Sequence, residues 1–97
     1  MSVNLLPGLP SVLAQPTLIA AVPSFGPTTG GNTVLLVGFN LGGATSVTFD
    51  GTPATITAQD PFGWVITVVA PPHAAGSVPV IVTTPAGAST PTTYTYV

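Results

Sequence analysis

Apolar and polar residues alternate over short stretches of this chain, and clusters of Gly, Pro, Asn or Asp end each stretch. Alternation of this kind belongs to strands, whose successive side chains point to opposite faces. It predicts seven strands, over residues 18–22, 33–38, 45–49, 54–58, 64–69, 78–83 and 92–97. Threonine and valine, which fit a pleated surface, recur through them. Turn residues separate them: Gly30-Gly31-Asn32, Asn40-Leu41-Gly42-Gly43, Asp50-Gly51, Asp60-Pro61, Pro71-Pro72 and Pro85-Ala86-Gly87. No window carries a helical period. Short strands at this spacing predict an all-β sandwich.

Residues 1–17 follow a different pattern. Pro7, Pro10 and Pro16 interrupt several leucines, and no period of two or of 3.6 residues is present. Proline at this spacing keeps a chain extended or polyproline-like. The segment reads as an extended N-terminal arm that spans on the order of 55 Å when fully stretched. The domain proper is residues 18–97.

Pro23-Ser24-Phe25-Gly26-Pro27-Thr28-Thr29-Gly30-Gly31-Asn32-Thr33-Val34 resembles the opening signature of IPT/TIG domains. Gly38-Phe39-Asn40-Leu41, Val47-Thr48-Phe49-Asp50-Gly51-Thr52-Pro53-Ala54, Ala70-Pro71-Pro72-His73 and Thr93-Tyr94-Thr95-Tyr96-Val97 continue the match in the family's order. The resemblance covers residues 18–97 and implies an immunoglobulin-like, early-set β-sandwich. It also implies core positions for Phe25, Phe39, Phe49, Tyr94 and Tyr96, and a loop position for His73.

Two strands depart from the family's alternation. In Thr33-Val34-Leu35-Leu36-Val37-Gly38, Val34 and Leu36 face the core, so Leu35 and Val37 face outward where threonine is usual. In Val65-Ile66-Thr67-Val68-Val69, Ile66 and Val68 face inward, and Val65 and Val69 outward. The resemblance makes these strands neighbours, so Leu35, Val37, Val65 and Val69 form one outward patch of roughly 300–500 Å², the upper range for a monomer. On the other sheet Ile81 points outward near Pro79, which has no N–H for a ladder and predicts a local irregularity there.

Composition sharpens the meaning of that patch. Among 97 residues there is no Lys or Arg, and only two acidic residues; the formal charge is −2. No charge guards the exposed apolar face against association. The same absence excludes phosphate neutralisation, and with it nucleic-acid binding and attraction to anionic lipid heads. No apolar run approaches the ~20 residues of a membrane helix, so no membrane insertion is expected. There is no cysteine, hence no disulfide framework or thiolate metal site. Val12-Leu13-Ala14 mimics a cleavage site, but no basic region precedes it and Pro7 and Pro10 break the apolar stretch, so no signal peptide is expected.

Acid–base chemistry near neutral pH is limited to Asp50, Asp60 and His73. Asp50-Gly51 and Asp60-Pro61 read as turns, and His73 as a structural loop residue. Two carboxylates on separate turns make a poor glycosidase pair. No acidic cluster offers the oxygens of a hard-metal site, and no nucleophile elbow is present. Gly30-Gly31-Asn32 precedes a strand rather than a helix, so it is no phosphate cradle. Neither catalysis nor a cofactor is expected. Phe62 and Trp64 sit near the Asp60–Gly63 turn. By parity with Ile66 and Val68, Trp64 closes the end of the core. As an exposed pair, they would instead stack on a sugar ring or anchor a partner.

These features predict a non-catalytic structural protein that assembles with other copies of itself, as a subunit of an extracellular filament or of a phage-type particle at the virion surface. It reads as a domain standing alone behind Met1. The self-assembly surface comprises Leu35, Val37, Val65 and Val69, with Leu5, Leu6, Leu9, Val12 and Leu13 of the arm packing on a neighbour or adding a strand to its sheet. The alternative is a carbohydrate- or cell-surface-binding adhesion module that contacts a surface glycan through Phe62 and Trp64.

Overall fold

The computed structural model describes residues 15–97, all strand, turn and loop. The arm residues Leu5, Leu6, Leu9, Val12 and Leu13 lie outside the described residues. Nine strand segments are present among those described: β1 (Thr17–Val22), β2 (Phe25–Gly26), β3 (Thr33–Phe39), β4 (Ser46–Phe49), β5 (Thr52–Gln59), β6 (Val65–Val69), β7 (Gly76–Thr84), β8 (Gly87–Ala88) and β9 (Thr92–Tyr96). Seven match the alternating stretches in the sequence. The other two, β2 and β8, hold two residues each, too few to alternate visibly.

Hydrogen-bonded neighbours run in the order β1-β3-β6-β5-β4-β7-β9-β2, with β8 on β7. β5 belongs to both layers. Its first residues, Thr52, Pro53 and Ala54, pair with β4, and Thr55 onward pairs with β6. At the opposite edge the chain changes layers between β1, which pairs with β3, and β2, which runs parallel to β9. The Val22–Pro23 peptide between them is cis. One sheet is therefore β1-β3-β6-β5 and the other β5-β4-β7-β9-β2, and their inner faces enclose the core.

That core follows from alternation. Val34, Leu36, Ile66 and Val68 from the first sheet meet Val47, Phe49, Val80 and Val82 from the second, all fully buried. Each such side chain contributes roughly 1.5–3 kcal/mol relative to exposure. Tyr94 and Tyr96 project inward from β9 against Phe49, with ring centroids 5.1 and 6.5 Å from it in edge-to-face arrangements. Their hydroxyls are placed: Asn32 Nδ2 donates to Tyr94 Oη at 2.8 Å, and Tyr96 Oη donates to the Pro71 carbonyl at 2.6 Å.

Two of the expected core aromatics are outside. Phe25 is 59% exposed and Phe39 is 54% exposed. In β2 the inward residue is Gly26, where any Cβ would strike the Tyr94 hydroxyl, so Phe25 must face solvent. In β3 the odd-numbered positions face outward, and Phe39 falls on that side. The expected irregularity at Pro79 is also absent: β7 and β9 pair in regular register through Pro79↔Thr93. The Pro79 carbonyl accepts from Asp50 N–H at 2.8 Å, which turns the proline nitrogen toward the end of β4, where Asp50 already starts a turn. The register shifts lie instead in β1, between Leu18 and Ala20, and in β5, between Ile56 and Ala58.

Candidate functional site

The outer face of β1-β3-β6-β5 is built in rows of paired residues. Residues directly opposite in an antiparallel pair share a face. Val22 lies opposite Leu35, and Leu35 opposite Thr67; Ala20 lies opposite Val37, and Val37 opposite Val65. Thr17 lies opposite Phe39 at one end, and Thr33 opposite Val69 at the other. Leu35, Val37, Val65 and Val69 thus share a face, as their alternation predicts. Leu35 is 40% exposed, and the three valines are half-buried by neighbouring side chains.

The apolar face is wider than those four residues. Val22 joins it from β1, Phe39 extends it at one end, and Ile19, in the β1 register shift, is exposed beside it. Val22 and Ile19 escape sequence reasoning because the shift breaks the two-residue period on which facing is judged. Phe39 was discoverable from the parity of its own strand.

Beyond Phe39 the face runs into an aromatic end. Gly63 N–H donates to the Asp60 carbonyl at 3.0 Å, and Trp64 N–H donates to Asp60 Oδ2 at 3.3 Å. These bonds close the Asp60–Gly63 turn. Gly63 has φ 76°, and its carbonyl accepts from Leu41 N–H at 2.8 Å. The turn is therefore fixed against the loop that follows β3. β6 starts only at Val65, so the inward parity of Ile66 and Val68 does not reach Trp64. Trp64 does not close the core. It is 57% exposed and Phe62 is 74% exposed, and their ring centroids lie 5.6 Å apart with planes tilted by 34°.

A shallow open depression adjoins the pair, lined by Asn40, Gly42, Pro61, Phe62, Pro85 and Ala86 among others. Asn40 Nδ2 donates to the Gln15 carbonyl at 3.4 Å. The chain segment that precedes β1 therefore meets the domain at the rim of this depression.

At the other end of the sandwich, two titratable residues that are 23 positions apart in sequence come together. His73 Nε2 and Asp50 Oδ2 are 2.9 Å apart. His73 Nδ1 is 2.8 Å from the Ala74 carbonyl, and the imidazole stacks on Tyr96 with centroids 5.2 Å apart. Asp50 and Gly51 occupy φ 54° and 79°, the two positive values of a tight two-residue hairpin between β4 and β5. The Ala74 carbonyl and then the Asp50 carboxylate raise the imidazole pKa above its ordinary 6.5, against an opposing effect of burial. The pairing ties a hairpin to a loop. Asp60 lies on a different turn and is not part of it, and no group of three metal-ligating side chains forms among the described residues.

Known structures share this fold. The γ-CGTase of alkalophilic Bacillus clarkii matches 84% of the chain with a TM-score of 0.73 at 22% identity, over 12% of its own length. The plexin A4 extracellular region matches 84% of the chain with a TM-score of 0.73 at 22% identity, over 8% of its length. SGBP-B from a xyloglucan utilization locus of Bacteroides uniformis matches 91% with a TM-score of 0.68 at 22% identity, over 23% of its length. The chain thus spans under a quarter of each of these larger proteins, and identity at this level establishes the fold alone. No curated protein sequence matches the chain. The family model for the IPT/TIG domain matches residues 16–96, and the chain belongs to that family.

Proposed function

We propose that this chain is a non-catalytic structural module that assembles with copies of itself through the outer face of β1-β3-β6-β5, as a subunit of an extracellular filament or a phage-type particle. The observation that carries the reading is that face: Val22, Leu35, Val37, Val65 and Val69, extended by Phe39, in a molecule with no Lys or Arg. An open apolar sheet without guarding charges associates unless something covers it. A second copy is the natural cover, because no cationic group repels it and the net charge is only −2.

Magnitudes set the form of the contact. Burying four Val or Leu side chains contributes roughly 6–12 kcal/mol at best, and these are already partly covered. Association costs an estimated 4–15 kcal/mol. Four residues alone give weak binding. Val22 and Phe39 enlarge the contact, and the leucines of residues 1–14 add a second one. A head-to-tail contact of that kind closes a ring or continues as a filament.

A carbohydrate- or cell-surface-binding role would rest on Phe62 and Trp64. The polar side chains around them are engaged within the protein: Asn40 with Gln15, Asp60 with the Trp64 N–H, and Thr84 with Gly87 and Ala86. A sugar needs such groups for its hydroxyls, which weakens that reading.

Size-exclusion chromatography and negative-stain imaging test the proposal. Wild type is expected as oligomers or polymers. Leu35→Lys places a charge on the outward face and leaves the core side chains alone, so it is expected to give a folded monomer. A wild type that stays monomeric at high concentration rules the reading out.

A further inference from the structure

The depression beside Phe62 and Trp64 suggests what the N-terminal segment of a neighbouring copy would grip. We propose that this depression receives residues 6–10 of a second copy, Leu6-Pro7-Gly8-Leu9-Pro10. The inference rests on the self-assembly reading and gives it a docking site outside the sheet face.

The walls suit such a segment. Pro61, Phe62, Pro85 and Ala86 make an apolar surface, and Trp64 stands beside it with more than half of its area exposed. Gly43 also lines it and presents no side chain, while Gly42 and Gly63 pack against each other and form its floor. Aromatic-lined grooves hold proline-containing segments because the proline ring is a flat apolar body and its backbone is already restricted to an extended form. That restriction lowers the ordering cost relative to an ordinary segment. Neither partner carries a cation, so no ion pair directs the contact. The polar side chains of the rim already have partners inside the domain, which favours an apolar occupant over a hydroxyl-rich one.

Location supports the same occupant. Gln15, at the end of the segment, is held at the rim by Asn40. Pro16 follows it and biases Gln15 toward an extended backbone. Five positions separate residue 10 from Gln15, so residues 6–10 can reach roughly 15 Å or more from that rim at the polyproline rise per residue. In the proposed arrangement they meet the corresponding depression of the next copy. The contact joins two different surfaces, so it repeats from copy to copy in one direction.

Trp64 is the only tryptophan in the chain, and its ring lies 5.6 Å from that of Phe62, which lines the depression, so its emission reports on the neighbourhood of the site. The test follows Trp64 emission and acrylamide quenching in the full-length chain, from dilute to concentrated solution, beside sedimentation of the same samples. The expected result is a blue shift and a severalfold drop in quenching as assemblies form, both lost in the Pro7→Ser, Pro10→Ser double variant. Assemblies in which Trp64 stays as quenchable as in dilute solution overturn this inference and leave self-assembly standing. A shift that survives in the double variant overturns it as well. A monomer at every concentration overturns both readings. A shift on adding a xyloglucan oligosaccharide, with none on concentration, assigns the site to a glycan and overturns the proposal.

Discussion

His73 has an acceptor at each ring nitrogen, the Ala74 carbonyl on one side and the Asp50 carboxylate on the other. Neutral imidazole has one N–H and satisfies one of them; imidazolium satisfies both. The folded state therefore favours the proton, and the raised pKa expresses this. A group whose pKa is raised on folding contributes stability that is fully present below its unfolded value and is lost as pH rises through the folded value. Thermal unfolding is expected at higher temperature in mildly acidic than in mildly alkaline buffer. His73→Gln is expected to flatten that slope. Asp50→Asn keeps a residue suited to the positive φ of the turn and is expected to reduce the slope without removing it, because the Ala74 carbonyl remains. A wild-type slope of the opposite sign would contradict the assignment. With two acidic residues and one histidine in the chain, few other groups contribute to the slope near neutrality. The Asp50-Gly51 turn was legible in sequence because its backbone demands those residue types. Its partnership with His73 was not, because nothing local links a hairpin tip to a distant loop.

Strand alternation carried most of the fold, and its failures are instructive at the level of the element. β3 and β6 alternate cleanly in burial though not in residue type, and their outward residues fall where the period puts them, with Leu35, Val37, Val65 and Val69 on one face. Parity with Ile66 and Val68 misplaces Trp64 because β6 starts at Val65, and Trp64 lies between that start and the positive φ of Gly63. Likeness to the family puts Phe25 and Phe39 inside, although their own strands turn them out. β1 hid two exposed residues, Ile19 and Val22, behind its register shift. Gly38 shows how closely β1 and β3 approach. A Cβ there would strike the Thr17 carbonyl, which is backbone and has no rotamer to change. Gly38→Ala is expected to destabilise the domain by about 1–3 kcal/mol, the usual cost of overpacking, measured by denaturant unfolding. An unchanged midpoint would mean that β1 shifts away freely.

At the scale of the molecule, the described residues join a closed sandwich to an apolar sheet face that none of them covers, in a chain almost without charge. The core is supplied from both layers and closed by β5, so the domain does not need a partner to bury Val34, Leu36, Ile66 or Val68. The outer face has no such cover among the described residues. The sequence contains no cysteine, so Leu35→Cys introduces a single thiol at the centre of that face. The rate at which a maleimide labels this thiol, in dilute solution and in the native assembly, reports whether a neighbour covers Leu35. Fast labelling is expected in the dilute protein and strong protection in the assembly. Equal rates in the two states would show that the face stays wet, and would contradict the claim that it joins one copy to the next.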